Sequence, residues 1–129
     1  MPSSRIHFSI DPNRNLITAV SEPTLDYVDF NLHLKELAQD PLFDGNQDGL
    51  YDFSAVEKIS GDPGFWEQTA DAINNHKDVS REPKVAIVTG GKRRLEGAFD
   101  GWKVMMSLSH VRYETFSNVE QANAWLGIE

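Results

Sequence analysis

Residues 43–53 read FDGNQDGLYDF. Asp44, Asn46, Asp48 and Gly49 stand at positions 1, 3, 5 and 6 of a calcium loop, and Asp52 stands at position 9. Such spacing turns hard oxygen donors toward one centre, and the glycine permits the sharp turn between them. The bidentate glutamate required at position 12 is missing, because Ala55 occupies that place. The run that follows, GLYDFSAV, reads as a strand and not as the exiting helix of a calcium hand. An acidic turn between a helix and a strand is therefore expected here, built from residues that tolerate turn geometry, and no metal site.

A second stretch, VTGGKRRLEG, sets Gly90 and Gly91 between an apolar strand and a helix. Backbone N–H groups at a helix start can hold an anion, and Lys92, Arg93 and Arg94 would add charge. Neither Gly-x-x-x-x-Gly-Lys-Ser/Thr nor Gly-x-Gly-x-x-Gly is present. A solvated basic turn is the expectation, with anion contact as the alternative. Asp52, near a strand end, could line a crevice; the plainer reading is that it caps a turn or pairs with a basic neighbour.

Catalytic chemistry finds little material. His7, His33, His76 and His110 are scattered, with no His-Glu-x-x-His pair. There is no cysteine, which excludes thiolate nucleophiles, thiolate metal sites and disulfides. No serine sits in a Gly-x-Ser-x-Gly elbow. A non-enzymatic protein without a cofactor is expected. A net charge of −8 repels phosphate backbones, so nucleic acid is not an expected partner. No apolar run approaches the roughly 18 residues of a membrane span. The opening MPSSRIHFSID has no apolar signal core, so the cytoplasm is the expected location.

The elements that position these residues follow from periodicity. Ile6, Phe8 and Ile10 alternate with polar residues, DPNRN supplies a turn, and LITAV returns, which predicts an N-terminal hairpin. A helix is predicted over Thr24–Gln39, with Thr24 as cap, Asp26 in the first turn and an apolar stripe of Tyr27, Phe30, Leu34, Leu37 and Ala38. GLYDFSAV is the third strand. Asp62 and Pro63 open a second helix whose inner face carries Phe65, Trp66, Thr69, Ile73 and His76. KVAIV is an apolar run suited to a central strand. Leu95, Ala98, Phe99, Trp102, Met105 and Met106 mark a third helix. Gly97 and Gly101, four apart within it, call for close packing inside the fold or for a face shared by two copies. VRYETF is the last strand, and Ser117-x-x-Glu120 reads as a capping box for a helix through Leu126 that Gly127 closes. The order ββαβαβαβα predicts one α/β domain over residues 1–129 with a mostly parallel mixed sheet behind the hairpin.

This order resembles the STAS domain, the sulfate-transporter and anti-sigma-factor-antagonist fold also called SpoIIAA-like. GLYDFSAV, KVAIVTGG, LEGAFDGWKVM and YETFSNVEQANAWLG resemble small bacterial STAS-like proteins of unassigned function. The resemblance implies a SpoIIAA-like sandwich that acts through protein contacts. Anti-sigma-factor antagonists carry a pattern like Asp-Leu-Ser-x-Val-x-x-Ile-Asp-Ser-Ser-Gly, whose second adjacent serine is phosphorylated. DFSAVEKISGDP matches it at Asp52, Phe53, Ser54, Val56 and Ile59, then departs at Ser60, Gly61, Asp62 and Pro63. Asp62 falls on the phosphoacceptor position and has no hydroxyl, so the family's switch is not expected. Asp62 reads as a helix cap, or else as a permanently charged imitation of the switch. The expected function is a regulatory module with a protein partner, with Asp52, Ser60, Asp62, Lys92, Arg93 and Arg94 as its contact residues. A small-molecule or lipid site in a crevice near Asp52, Asp62 and Gly90 is the alternative.

Overall fold

The computed structural model describes residues 4–43, 47–60, 84–93 and 112–128. Strands β1 (Ile6–Asp11) and β2 (Leu16–Ser21) form the predicted antiparallel hairpin. The Asp11 carboxylate accepts from the backbone N–H groups of Asn13 (3.0 Å) and Arg14 (3.3 Å). Asn15 takes the left-handed conformation that closes the turn (φ 52°).

The first helix begins later than its sequence pattern predicts. Residues Thr24–Asp26 are a short strand, β3, and helix α1 spans Tyr27–Gln39. Thr24 is therefore not the cap. It lies opposite Lys58 in a parallel ladder, which holds the chain extended as far as Asp26. Asp26 caps α1 by accepting from Val28 N–H at 2.9 Å, while the Asp29 carboxylate accepts from Asp26 N–H at 2.8 Å. These two bonds form a reciprocal capping box. The buried Asp29 also takes the Arg5 N–H (3.2 Å) and lies 3.5 Å from the Arg5 guanidinium, which ties the start of β1 to the helix.

Strand β4 (Asp48–Asp52) is shorter than GLYDFSAV predicts. Phe53 N–H donates to Val88 O at 2.8 Å, and Val56 N–H turns back to Phe53 O at 3.0 Å, so the chain bends after Asp52. It then enters β5 (Lys58–Ser60), which pairs with β3 as a separate two-stranded sheet. Three-residue strands carry too little alternation to be read from sequence. Strand β6 (Lys84–Val88) is the predicted apolar run, and β7 (Arg112–Phe116) follows the predicted range to within one residue. Helix α2 spans Val119–Leu126 and ends on Gly127 (φ 77°), as expected. Its cap is Asn118 and not Ser117: the Asn118 side-chain Oδ1 accepts from Gln121 N–H at 2.9 Å. Gln121 in turn accepts from Ser117 N–H at 3.3 Å. The cap is shifted by one residue because Asn118 is itself a favoured cap, and the reciprocal bond of a capping box is replaced by one to the residue before the cap.

The five-stranded sheet runs β1-β2-β4-β6-β7, with β1 antiparallel and every other neighbour pair parallel. Side chains alternate between its two faces. Ile17, Tyr51 and Ile87 join Phe30 and Leu37 of α1 in one core, which also holds Leu25, Phe53 and Val56. Leu16, Leu50, Ala86 and Val88 join Ala122 and Leu126 of α2 in the other. Helix α2 packs on β4, β6 and β7, whereas His7, Ser9, Thr18 and Val20 are exposed on that face of the hairpin. The fold is thus α/β with a mixed sheet. The helices expected from Asp62 to His76 and from Leu95 to Met106 lie outside the described residues, as do Asp62, Arg94, Gly97 and Gly101. Among the described residues no helix is long and apolar enough to cross a membrane.

Candidate functional site

The carboxyl ends of the parallel strands bring two of the sequence-predicted segments together. Asp52 ends β4, and its Oδ1 accepts from Ser54 N–H (3.0 Å) and from Ser54 Oγ (2.5 Å). This folds the loop 53–57 back over the sheet end. Beside it runs the loop 89–92 that leaves β6. Gly90 has φ 68°, a conformation that L side chains rarely adopt. It also lies against Ser54: a Cβ at Gly90 would stand 3.0 Å from Ser54 Cβ. Glycine is required there for both reasons.

Further bonds lock the two loops. Lys92 Nζ donates to Val56 O at 2.9 Å, and Lys92 N–H donates to Thr89 O at 3.4 Å. Thr89 is fully buried and donates its N–H (2.9 Å) and its hydroxyl (3.3 Å) to Phe116 O at the end of β7. Lys92 is half-buried, which corrects the expectation of a wholly solvated basic turn; Arg93 is exposed. A lysine head group needs only one carbonyl within reach of its flexible stem, and the loop after β4 offers that of Val56.

The structure brings Asp52, Lys92 and Arg93 to one end of the sheet. Ser60 ends β5, and the carboxylate of Asp62 and the guanidinium of Arg94 belong to residues outside the described set. Of the calcium-loop residues, Asp48 and Asp52 stand at opposite ends of β4. A strand rises about 3.3 Å per residue, so about 13 Å separates them, and one ion cannot take both. Asp48 instead accepts the Lys84 N–H at 2.9 Å. Asp44 and Asn46 lie outside the described residues. Among the described residues no cluster of three or more histidine and carboxylate side chains could hold a metal.

One polar pair escaped sequence reasoning. His33 projects from α1 into the core, and its Nε2 meets the Tyr51 hydroxyl at 2.5 Å. Phe8 and Tyr51 pack edge-on against the imidazole, and Tyr51 continues to Phe53 and Phe30. The other ring nitrogen, Nδ1, is buried with no hydrogen-bond partner among the described residues. Burial pulls the His33 pKa down to about 4 and pushes the Tyr51 phenol above its usual range. Tyr113 is pushed up by burial first and by the neighbouring Tyr51 second. The signal was present: Phe30, His33 and Leu37 follow at i, i+3 and i+7, and all three are buried. A neutral imidazole and a neutral phenol packed among aromatic rings suit a structural role.

Comparison of the chain with protein-family models, with curated proteins and with solved structures gave no match.

Proposed function

We propose that this chain is a STAS-like regulatory module that works through protein contacts and not through catalysis. Its contact surface is the joined pair of loops 53–57 and 89–92 at the carboxyl ends of β4 and β6. The observation that carries this reading is the commitment of the polar groups there. Asp52 is spent on Ser54 and Lys92 on Val56 O, so both charges hold the shape of the loops. Strand order supports it as well. Open α/β sheets bind small ligands where strand order reverses, and β2, β4, β6 and β7 follow one another in a single direction. A hairpin followed by parallel strands is the arrangement that the STAS resemblance implies. The built-in charge of Asp62, at the place of the family's phosphoacceptor, makes the module one without the usual phosphorylation switch.

Arg93 tests the surface without touching its internal bonds, because its side chain is exposed. The wild-type chain and Arg93→Glu are used as baits in affinity capture from the native cell, with thermal melting as the control for folding. The expected result is a protein captured by the wild type and lost by the variant at unchanged melting temperature. Identical captured proteins, or a melting temperature raised by small metabolites or lipid, would favour the alternative crevice site.

A further inference from the structure

The outer edge of β1 carries backbone groups that no part of the described chain uses. Glu22 N–H donates to Arg5 O at 3.1 Å, which sets the parity of the hairpin. Residues 5, 7, 9 and 11 turn their backbone groups toward β2, and Ile6, Phe8 and Ile10 turn theirs away. The Ile6 N–H is taken by Ser4 Oγ at 3.0 Å. The N–H and C=O groups of Phe8 and Ile10 bond to no described residue. Strand β1 also lacks the devices that usually blunt an edge. IHFSID has no proline, no lysine and no bulge, and its six-residue register with β2 is unbroken.

We infer that two copies of this chain join edge to edge through β1, antiparallel about a two-fold axis at Ser9, to make one continuous ten-stranded sheet. Two observations choose the register. A two-fold axis at Phe8 would need the Ile6 N–H, which already has its acceptor. An axis at Ser9 needs only Phe8 and Ile10: each bonds the other's counterpart in the second copy, four N–H···O bonds use every open group of these two residues, and the Ile6 C=O stays in solvent opposite Pro12, which has no N–H to offer. The same register sets His7 opposite Asp11 of the second copy, twice, on the face where His7 and Ser9 are exposed. The imidazole meets Glu22 of its own chain through Nε2 at 3.0 Å, and in its doubly protonated form it has the Nδ1–H to donate to that carboxylate. On the opposite face the partly buried Phe8 and Ile10 side chains meet across the axis and extend the core that they already border. This inference stands apart from the proposed loop surface, which lies at the other strands' carboxyl ends.

The chain has no cysteine, so introduced ones report cleanly. Ser9 would lie opposite its own copy in a non-hydrogen-bonded pair, where Cα atoms are about 4.5 Å apart, within the reach of a disulfide. His7 would lie four residues out of step with its own copy, roughly 13 Å away, beyond that reach. The full chain should sediment as a concentration-dependent monomer–dimer mixture. Ser9→Cys should form a covalent dimer under mild oxidation, and His7→Cys should not. Ser9→Lys, which sets two like charges face to face, should weaken association about five- to tenfold with an unchanged circular dichroism spectrum. A wild-type chain that sediments as a monomer at every concentration overturns the inference. So does a His7→Cys chain that cross-links as readily as Ser9→Cys.

Discussion

Tyr51 and Asp52 are neighbours on β4, yet alternation along the strand sends their polar groups into opposite surroundings. The Tyr51 hydroxyl enters the core beneath α1 and meets His33, whose second ring nitrogen has no partner among the described residues. The Asp52 carboxylate stays at the sheet end and collects two donors from Ser54. Both are hydrogen-bonded pairs of similar size, and their energetic meaning differs. At the strand end, water competes for the same groups and each bond adds little net stability. In the core, burial removes both groups from bulk water, so the bond between them counts for more and holds the pair in one geometry. The core pair constrains the fold; the sheet-end pair shapes a surface.

Acid should separate the two most strongly. The folded His33 resists protonation down to about pH 4, whereas an unfolded histidine takes a proton near 6.5. Below 6.5 the unfolded chain therefore binds a proton that the folded chain refuses, and stability falls with pH until about 4. The full loss from this group is about 3 kcal/mol. Urea unfolding across that window should show it, and the difference between wild type and His33→Leu isolates it from the carboxylates. Equal slopes in the two proteins would mean that the imidazole reaches solvent.

Crowding the core pair should cost somewhat less. A Cβ at Gly49 would stand 2.8 Å from Tyr51 Cε1 and 3.4 Å from Val85 Cγ2. The ring cannot swing freely, because His33 packs on it from α1 and Phe53 from β4's own continuation. Gly49→Ala should therefore lower stability by about 2 kcal/mol, read as a lower urea midpoint. A neutral effect would show that the aromatic row repacks easily.

The smallest effect belongs to the sheet end. Lys92→Ala removes one bond, to Val56 O, and water can take its place. A loss of about 0.5 kcal/mol is expected, with faster amide exchange confined to residues 53–57 and 89–92. A loss comparable to that of Gly49→Ala would place Lys92 among the groups that hold the core.

The hairpin, the α/β class and the central strand were legible in the sequence, since each rests on a local pattern that tertiary contacts reinforce. Ile6, Phe8 and Ile10 alternate, Asp11 and Asn15 bracket a turn, and KVAIV is apolar on both faces. Asp52 was legible too, as a turn former near a strand end. Helix starts were not. Thr24 and Asp26 are both acceptable caps, and Ser117 and Asn118 likewise. Sequence offers no reason to choose while either residue would serve.

What settled those choices was pairing at a distance. Lys58 opposite Thr24 keeps the chain extended until Asp26, and that contact joins residues far apart in sequence. The same holds for His33. Its position on the apolar stripe of α1 follows from the helical period alone, but its state depends on which strand lies beneath it. Tyr51 comes from β4 and Phe8 from β1, and only the order of strands in the sheet brings both to one imidazole. Composition and periodicity set which residues leave water, because burial of apolar area is local and additive along each element. The partner of each buried polar group was decided by the tertiary structure, because a hydrogen bond needs two atoms at one distance and angle, and that geometry exists only once the sheet is assembled.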